Sequence, residues 1–155
     1  ILTCTQSQLA LPIILVVGQV KPMPHVLIEH SSNLSSRVDL GDLTRIIHQT
    51  ALNTEVFPEG GIRTRCIPRE NYMIADGHAD NAFIHLMLRI RSGRDIETRQ
   101  RAASAVFEAL CDFLADDMSA HPLGISLEVQ EIVPQTSYKL NNLHDYVKQR
   151  RENRS

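Results

Sequence analysis

The stretch of this chain best equipped for chemistry is Met23-Pro24-His25-Val26-Leu27-Ile28-Glu29. With Pro24 as the first residue of the mature protein, a free secondary amine stands at the head of an apolar strand. Such an amine can take a proton and return it. Joined to Met23, the same nitrogen is an amide with neither a proton nor a basic lone pair. No other reactive residue types form a comparable group. The seven histidines, His25, His30, His48, His78, His85, His121 and His144, show no zinc-like spacing and read as surface or core residues. Cys4, Cys66 and Cys111 are odd in number and lack a CxxC spacing. They read as small, free thiols in a reducing compartment, which points to the cytoplasm. Gly60-Gly61 is a turn that permits a sharp reversal, with neither the spacing nor the lysine of a phosphate-binding loop.

The elements that must position Pro24 follow from periodicity. His25–His30 alternates as a short strand, and Ser31–Ser36 is turn-like. Asp39–Asn53 has helical spacing, with Leu40, Leu43, Ile46, Ile47 and Ala51 on one stripe and Asp39 as its N-cap. Phe57–Gly61 ends that helix, and Ile62–Ile67 alternates again, with Arg63 and Arg65 opposite Ile62 and Thr64. Ala75-Asp76-Gly77 marks a turn. In Phe83–Arg91 the residues Ile84, Leu86, Leu88 and Ile90 share one face. Asp95 caps a long helix to about Ser119, with Ile96, Ala103, Val106, Phe107, Leu110, Cys111 and Leu114 as the expected buried stripe. Ile125–Ile132 is the last strand; Tyr138–His144 reads as a strand fragment or hairpin leading to a short helix.

The fold class is therefore α/β. Two β-α-β units, at about 25–67 and 83–132, give a four-stranded sheet with two helices on one face. Each crossover is long enough to join parallel strands. The other sheet face is left uncovered, and oligomerisation is the economical way to bury it.

Length and composition agree with one soluble domain: 155 residues, 43% hydrophobic and 22% charged. A net charge of −2 gives no support to a nucleic-acid or anionic-membrane partner, so an anionic substrate must be drawn in by local arginines. Residues 1–23 carry an apolar run, Leu9–Val17, interrupted by Pro12 and too short to span a bilayer. No methionine or basic segment opens them, as a secretory signal would require. They read as translated upstream sequence, an added leader, or a genuine extension supplying an edge strand. The expected organisation is an extension at 1–23 outside the mature enzyme, a domain at 24–147, and a frayed, charged tail at 148–155.

Several stretches, in this order and spacing, resemble the 5-carboxymethyl-2-hydroxymuconate isomerases of the tautomerase superfamily. They are Met23-Pro24-His25 with Glu29; Phe57-Pro58 with Gly61-Ile62-Arg63-Thr64-Arg65; Ala75-Asp76-Gly77; Ala82-Phe83-Ile84-His85; Gly93-Arg94; Glu97-Thr98-Arg99-Gln100; and Lys139-Leu140-Asn141-Asn142-Leu143-His144. The resemblance runs from Pro24 to about Val147 and leaves out residues 1–23.

It implies a homotrimer with active sites near subunit interfaces and no cofactor or metal. The implied reaction converts 5-carboxymethyl-2-hydroxymuconate to 5-oxopent-3-ene-1,2,5-tricarboxylate, in bacterial homoprotocatechuate (4-hydroxyphenylacetate) breakdown. The base is the amino-terminal proline, which falls on Pro24; the substrate-binding arginines fall on Arg63 and Arg94. Arg65 shares the face of Arg63 and is a further candidate for the pocket. Glu29 reads equally as a pocket group or a structural ion pair. Two alternatives stand beside this: a related tautomerase acting on another 2-hydroxydienoate or an aryl-pyruvate, and a non-catalytic trimeric binding protein if residues 1–23 are retained.

Overall fold

Side-chain alternation sets the sheet. In the computed structural model, which describes residues 23–154, four strands form one sheet: β1 (His25–Ser31), β2 (Arg63–Arg69), β3 (Ala82–Arg91) and β4 (Leu123–Ile132). Their order is β2-β1-β3-β4. β1 is parallel to β2, β3 is parallel to β4, and β1 meets β3 antiparallel. The two parallel pairs are the two expected units. α1 (Leu40–Asn53) connects β1 to β2, and α2 (Ile96–Ala120) connects β3 to β4.

Both helices cover the same sheet face. Val26 and Ile28 of β1 and Ile84, Leu86, Leu88 and Ile90 of β3 join Leu43, Ile47 and Ala51 of α1 in one core. Val106, Leu110 and Leu114 of α2 complete it. Each fully buried Leu or Ile contributes about 1.5–3 kcal/mol relative to an exposed one. Caps fix where the helices begin: an Asp39 carboxylate oxygen accepts the Asp42 amide hydrogen at 2.9 Å, and Asp95 accepts that of Thr98 at 2.7 Å. Beyond the far end of β1, Arg37 forms a bidentate ion pair with Asp117, its Nε donating to Oδ1 at 2.8 Å. This pair holds the Asp117 carboxyl below the usual carboxylate range.

Three expectations are corrected. The α2 stripe is narrower than its apolar residues imply: Ile96 is 56% and Phe107 37% exposed, while Ala102 is buried. The buried row is Ala102-Val106-Leu110-Leu114, an i, i+4 series. Phe107 lies about 100° around the helix from Val106, and Ile96 sits in the first turn. Residues Tyr138–Asn142 form no strand, and the expected frayed tail is instead helical as far as Glu152, in α3 (Leu143–Glu152). The helix has no buried residue; Asn141 Oδ1 accepts the Leu143 amide hydrogen at 2.9 Å at its start, Asn141 Nδ2 donates to Gly60 O at 2.9 Å, and Arg151 pairs with Glu59 at 2.5 Å. Finally, neither Gly60 nor Gly61 has a positive φ; only Gly77 and Gly93 do among the described glycines. The reason for Gly60 is space, not backbone freedom.

Candidate active site

Pro24 is buried just ahead of β1 and continues the inward row of Val26 and Ile28. Its carbonyl accepts the Arg63 amide hydrogen at 3.1 Å, which joins it to the head of β2. His25 follows, facing Arg63 across one strand boundary and Arg89 across the other. The end of the sheet at which β1 and β2 begin and β3 ends is therefore rich in cations.

One connection, the stretch between α1 and β2, gathers the two expected arginines. Arg63 Nη1 donates to Gly61 O at 2.5 Å, and Arg94 Nη2 donates to Val56 O at 2.9 Å. Arg94 Nη1 also donates to Arg91 O at 3.2 Å. Gly93 makes this possible. Its φ of 101°, a value L side chains rarely adopt, turns the chain back after β3 so that Arg94 reaches the connection. A guanidinium has five N–H donors, so both arginines keep donors for a carboxylate. Among the described residues, no carboxylate pairs with either. Arg63 and Arg94 are half-buried and Arg65 is exposed.

Arg65 does approach the site, but through His25: its Nη1 lies 3.3 Å from His25 Nδ1. Burial and then the charges of Arg65, Arg63, Arg89 and Lys139 hold the His25 imidazolium pKa below its ordinary value. A neutral ring accepting from Arg65 at Nδ1 keeps Nε2–H as a donor. Sequence reading assigned His25 no role; the signal was its place directly after Pro24 on the face of Arg63. Glu29 pairs with Arg69 at 2.7 Å, which favours the structural ion pair over a pocket role. His85 Nδ1 lies 2.8 Å from Ser126 Oγ on the open sheet face.

A third segment docks on the same connection. Asn141 Nδ2 donates to Gly60 O at 2.9 Å. A Cβ at Gly60 would lie 2.6 Å from His144 Nδ1 and 2.7 Å from His144 Cα, so only glycine lets the start of α3 approach this closely. Gly60→Ala should therefore cost about 1–3 kcal/mol of stability and weaken catalysis by shifting Gly61, which holds Arg63. Urea unfolding checks the first part; an unchanged midpoint would mean that α3 is not seated there.

Cys66 and Cys111 are free and half-buried, and burial pushes both thiols up, away from nucleophilic character. Cys4 lies outside the described residues. An open hollow of about 400 Å³ beside Arg37, Phe113 and His121 includes none of the expected site residues, and its Arg37 and Asp117 satisfy each other. No helix among the described residues is long and apolar enough to cross a membrane.

Comparisons with known proteins converge on one group. The sequence pattern of a family described as 5-carboxymethyl-2-hydroxymuconate isomerase matches residues 24–147. An Escherichia coli protein named 5-carboxymethyl-2-hydroxymuconate Delta-isomerase is 36% identical over 122 residues, covering 79% of this chain and 97% of that protein. The crystal structure of a 5-carboxymethyl-2-hydroxymuconate isomerase from Deinococcus radiodurans R1 superposes with a TM-score of 0.76 at 31% identity, covering 82% of this chain and 96% of that one. A structure described as a fused 4-OT symmetric trimer shares the fold at a TM-score of 0.50 and 15% identity, covering 76% of this chain and 92% of that one.

Proposed function

The chain belongs to the 5-carboxymethyl-2-hydroxymuconate isomerase family, and we propose that it catalyses that isomerisation through the free amine of Pro24. The observation that carries this reading is the convergence of Pro24, Arg63 and Arg94 at one end of the sheet. Pro24 and Arg63 are hydrogen-bonded neighbours, and both arginines are held by the connection that leads into β2.

The substrate is a dienol bearing three carboxylates. Its conversion to the unsaturated ketone removes the proton of the C2 hydroxyl and adds one at C5, with the double bonds moving between them. A neutral prolyl amine takes the first proton and, as the ammonium, delivers it to carbon. Burial beside Val26 and Ile28, with arginines close by, disfavours the ammonium and keeps the amine available as a base. Arg63 and Arg94 orient two carboxylates bidentately and stabilise the negative charge that develops on the dienolate. Guanidinium suits the task because it stays charged in a site that has shed water. Residues 1–23 are absent from the active form, since an amide nitrogen at Pro24 has no proton to exchange.

The uncovered sheet face, with Leu27, Met87 and half-buried Phe83 on it, closes against other copies in a homotrimer. The protein acts in the cytoplasm. Disappearance of the dienol absorbance tests the reading. Protein beginning at Pro24 should sediment as three chains and convert the tricarboxylate in preference to other 2-hydroxydienoates and aryl-pyruvates. Preference for an aryl-pyruvate would move it to a different tautomerase activity, and no turnover of any of them would refute catalysis.

A further inference from the structure

When the proline amine takes the C2 hydroxyl proton, the oxygen left behind carries charge of the dienolate. We propose that His25 is a second catalytic residue: its Nε2–H, aimed by Arg65, donates to that oxygen. The inference rests on the isomerase reading above and deepens it at one atom.

The chain itself brings His25 to the place. It is joined to Pro24, so its ring springs from the residue next to the amine. Its partners across the sheet fix the direction of the ring. Residues in register on neighbouring strands present side chains to the same face, and His25 stands opposite Arg63 in β2 and Arg89 in β3. That face is the one without helices, since Val26 beside it points into the core. Substrate engaged by Pro24 and Arg63 is thus held by the chain neighbour and the cross-strand neighbour of His25.

The ring is set to donate. Arg65 Nη1 lies 3.3 Å from His25 Nδ1. A guanidinium only donates, so Nδ1 is the acceptor and the ring proton sits on Nε2. Nε2 has no hydrogen-bond partner among the described residues, and it is not one of the enclosed, unpartnered polar atoms. It is therefore open to an incoming oxygen. Burial, and then the positive charges of Arg65, Arg63, Arg89 and Lys139, disfavour a second proton on the ring.

A neutral imidazole suits this oxygen. It keeps its own proton, so it steadies the oxygen as enol, dienolate and ketone in turn without competing with Pro24. The hydroxyl proton goes to the amine and from the amine to C5, and His25 neither gains nor loses one.

The test uses protein beginning at Pro24. His25→Ala should lower kcat for the tricarboxylate about 10–100-fold, the range for a hydrogen bond to a charged group. KM should move less than about threefold, because the bond strengthens only as charge develops. His25→Gln, whose amide offers an N–H near the place of Nε2, should recover most of the loss. Nitrogen-15 NMR of labelled histidine supplies a readout that a packing role would not move. At pH 7 the His25 proton should sit on Nε2 alone, and Arg65→Met should mix the two tautomers. The proposal is overturned by an unchanged kcat in His25→Ala, a loss that glutamine does not restore, a protonated Nδ1 in the unsubstituted protein, or unmixed tautomers in Arg65→Met. If unsubstituted protein does not turn over the tricarboxylate, the isomerase reading fails by itself, and binding decides His25. Calorimetry should show 2-oxoadipate, which carries an oxygen at C2, binding more tightly than adipate, with that preference lost in His25→Ala. Equal binding of the two, or a preference that survives the substitution, overturns the proposal.

Discussion

Protein whose first residue is Pro24 should isomerise the tricarboxylate about 10²–10⁴-fold faster than the same protein retaining Met23, the span typical of general acid–base catalysis. The difference between the two forms is one peptide bond. It converts a secondary amine into an amide, removing both the lone pair that accepts the proton and the N–H that returns it. Pro24 is buried at the head of β1 while Met23 is only half-buried, so thermal unfolding of the two forms should be nearly the same. The pH dependence carries a definite sign. The amine works only when unprotonated, so kcat/KM of the processed form should rise with pH. Because burial and the nearby arginines disfavour the ammonium, the midpoint should fall below the roughly 7.7–8.0 of an ordinary α-amino group. Equal rates for the two forms, or a profile without this limb, would mean that another group moves the proton.

Loss of either Arg63 or Arg94 should be the next largest effect. Arg63→Ala and Arg94→Ala should each lower kcat/KM by about 10²–10³-fold, comparable with removing one preorganised donor from a site of developing negative charge. The lysine variants should recover little, because an ammonium cannot hold a carbonyl and grip a carboxylate bidentately in one plane. Each arginine does both in this account: Arg63 is steadied by Gly61 O and Arg94 by Val56 O, with their remaining donors free for substrate. Steady-state kinetics on both variants, with melting temperatures recorded alongside, separates recognition from folding. Unchanged KM and kcat in both would remove the carboxylate assignment while leaving the proline base untouched.

Much of the fold was legible because it rests on local periodicity. The alternation of Ile84, Leu86, Leu88 and Ile90 specifies one buried face of β3 whatever lies beside it, and Asp39 and Asp95 cap their helices through amides three residues on. Periodicity was less informative where apolar residues exceed what the partner surface can cover. Ile96 and Phe107 have the right character for the α2 stripe, yet a helix lying on a sheet buries only its narrow i, i+4 row. Gly60 was legible as a turn for the wrong reason, since the intrusion of His144 comes from a segment more than eighty residues away. The site was the least legible part. No spacing rule brings Arg63 and Arg94 together; that depends on the path of the connection from α1 to β2 and on the left-handed turn at Gly93. Resemblance to a family pointed to them in advance. His25 was within the stretches quoted for that resemblance, but its cationic surroundings arise only when β1, β2 and β3 are assembled and bring Arg63, Arg65 and Arg89 around it.

The intact mass of the catalytically active protein tests the central claim most directly. Purified from the cells that make it and assayed before ionisation, the active fraction should have a mass beginning at Pro24. An active fraction whose mass retains Met23 would contradict the account, because it would show the isomerisation proceeding without a free proline amine.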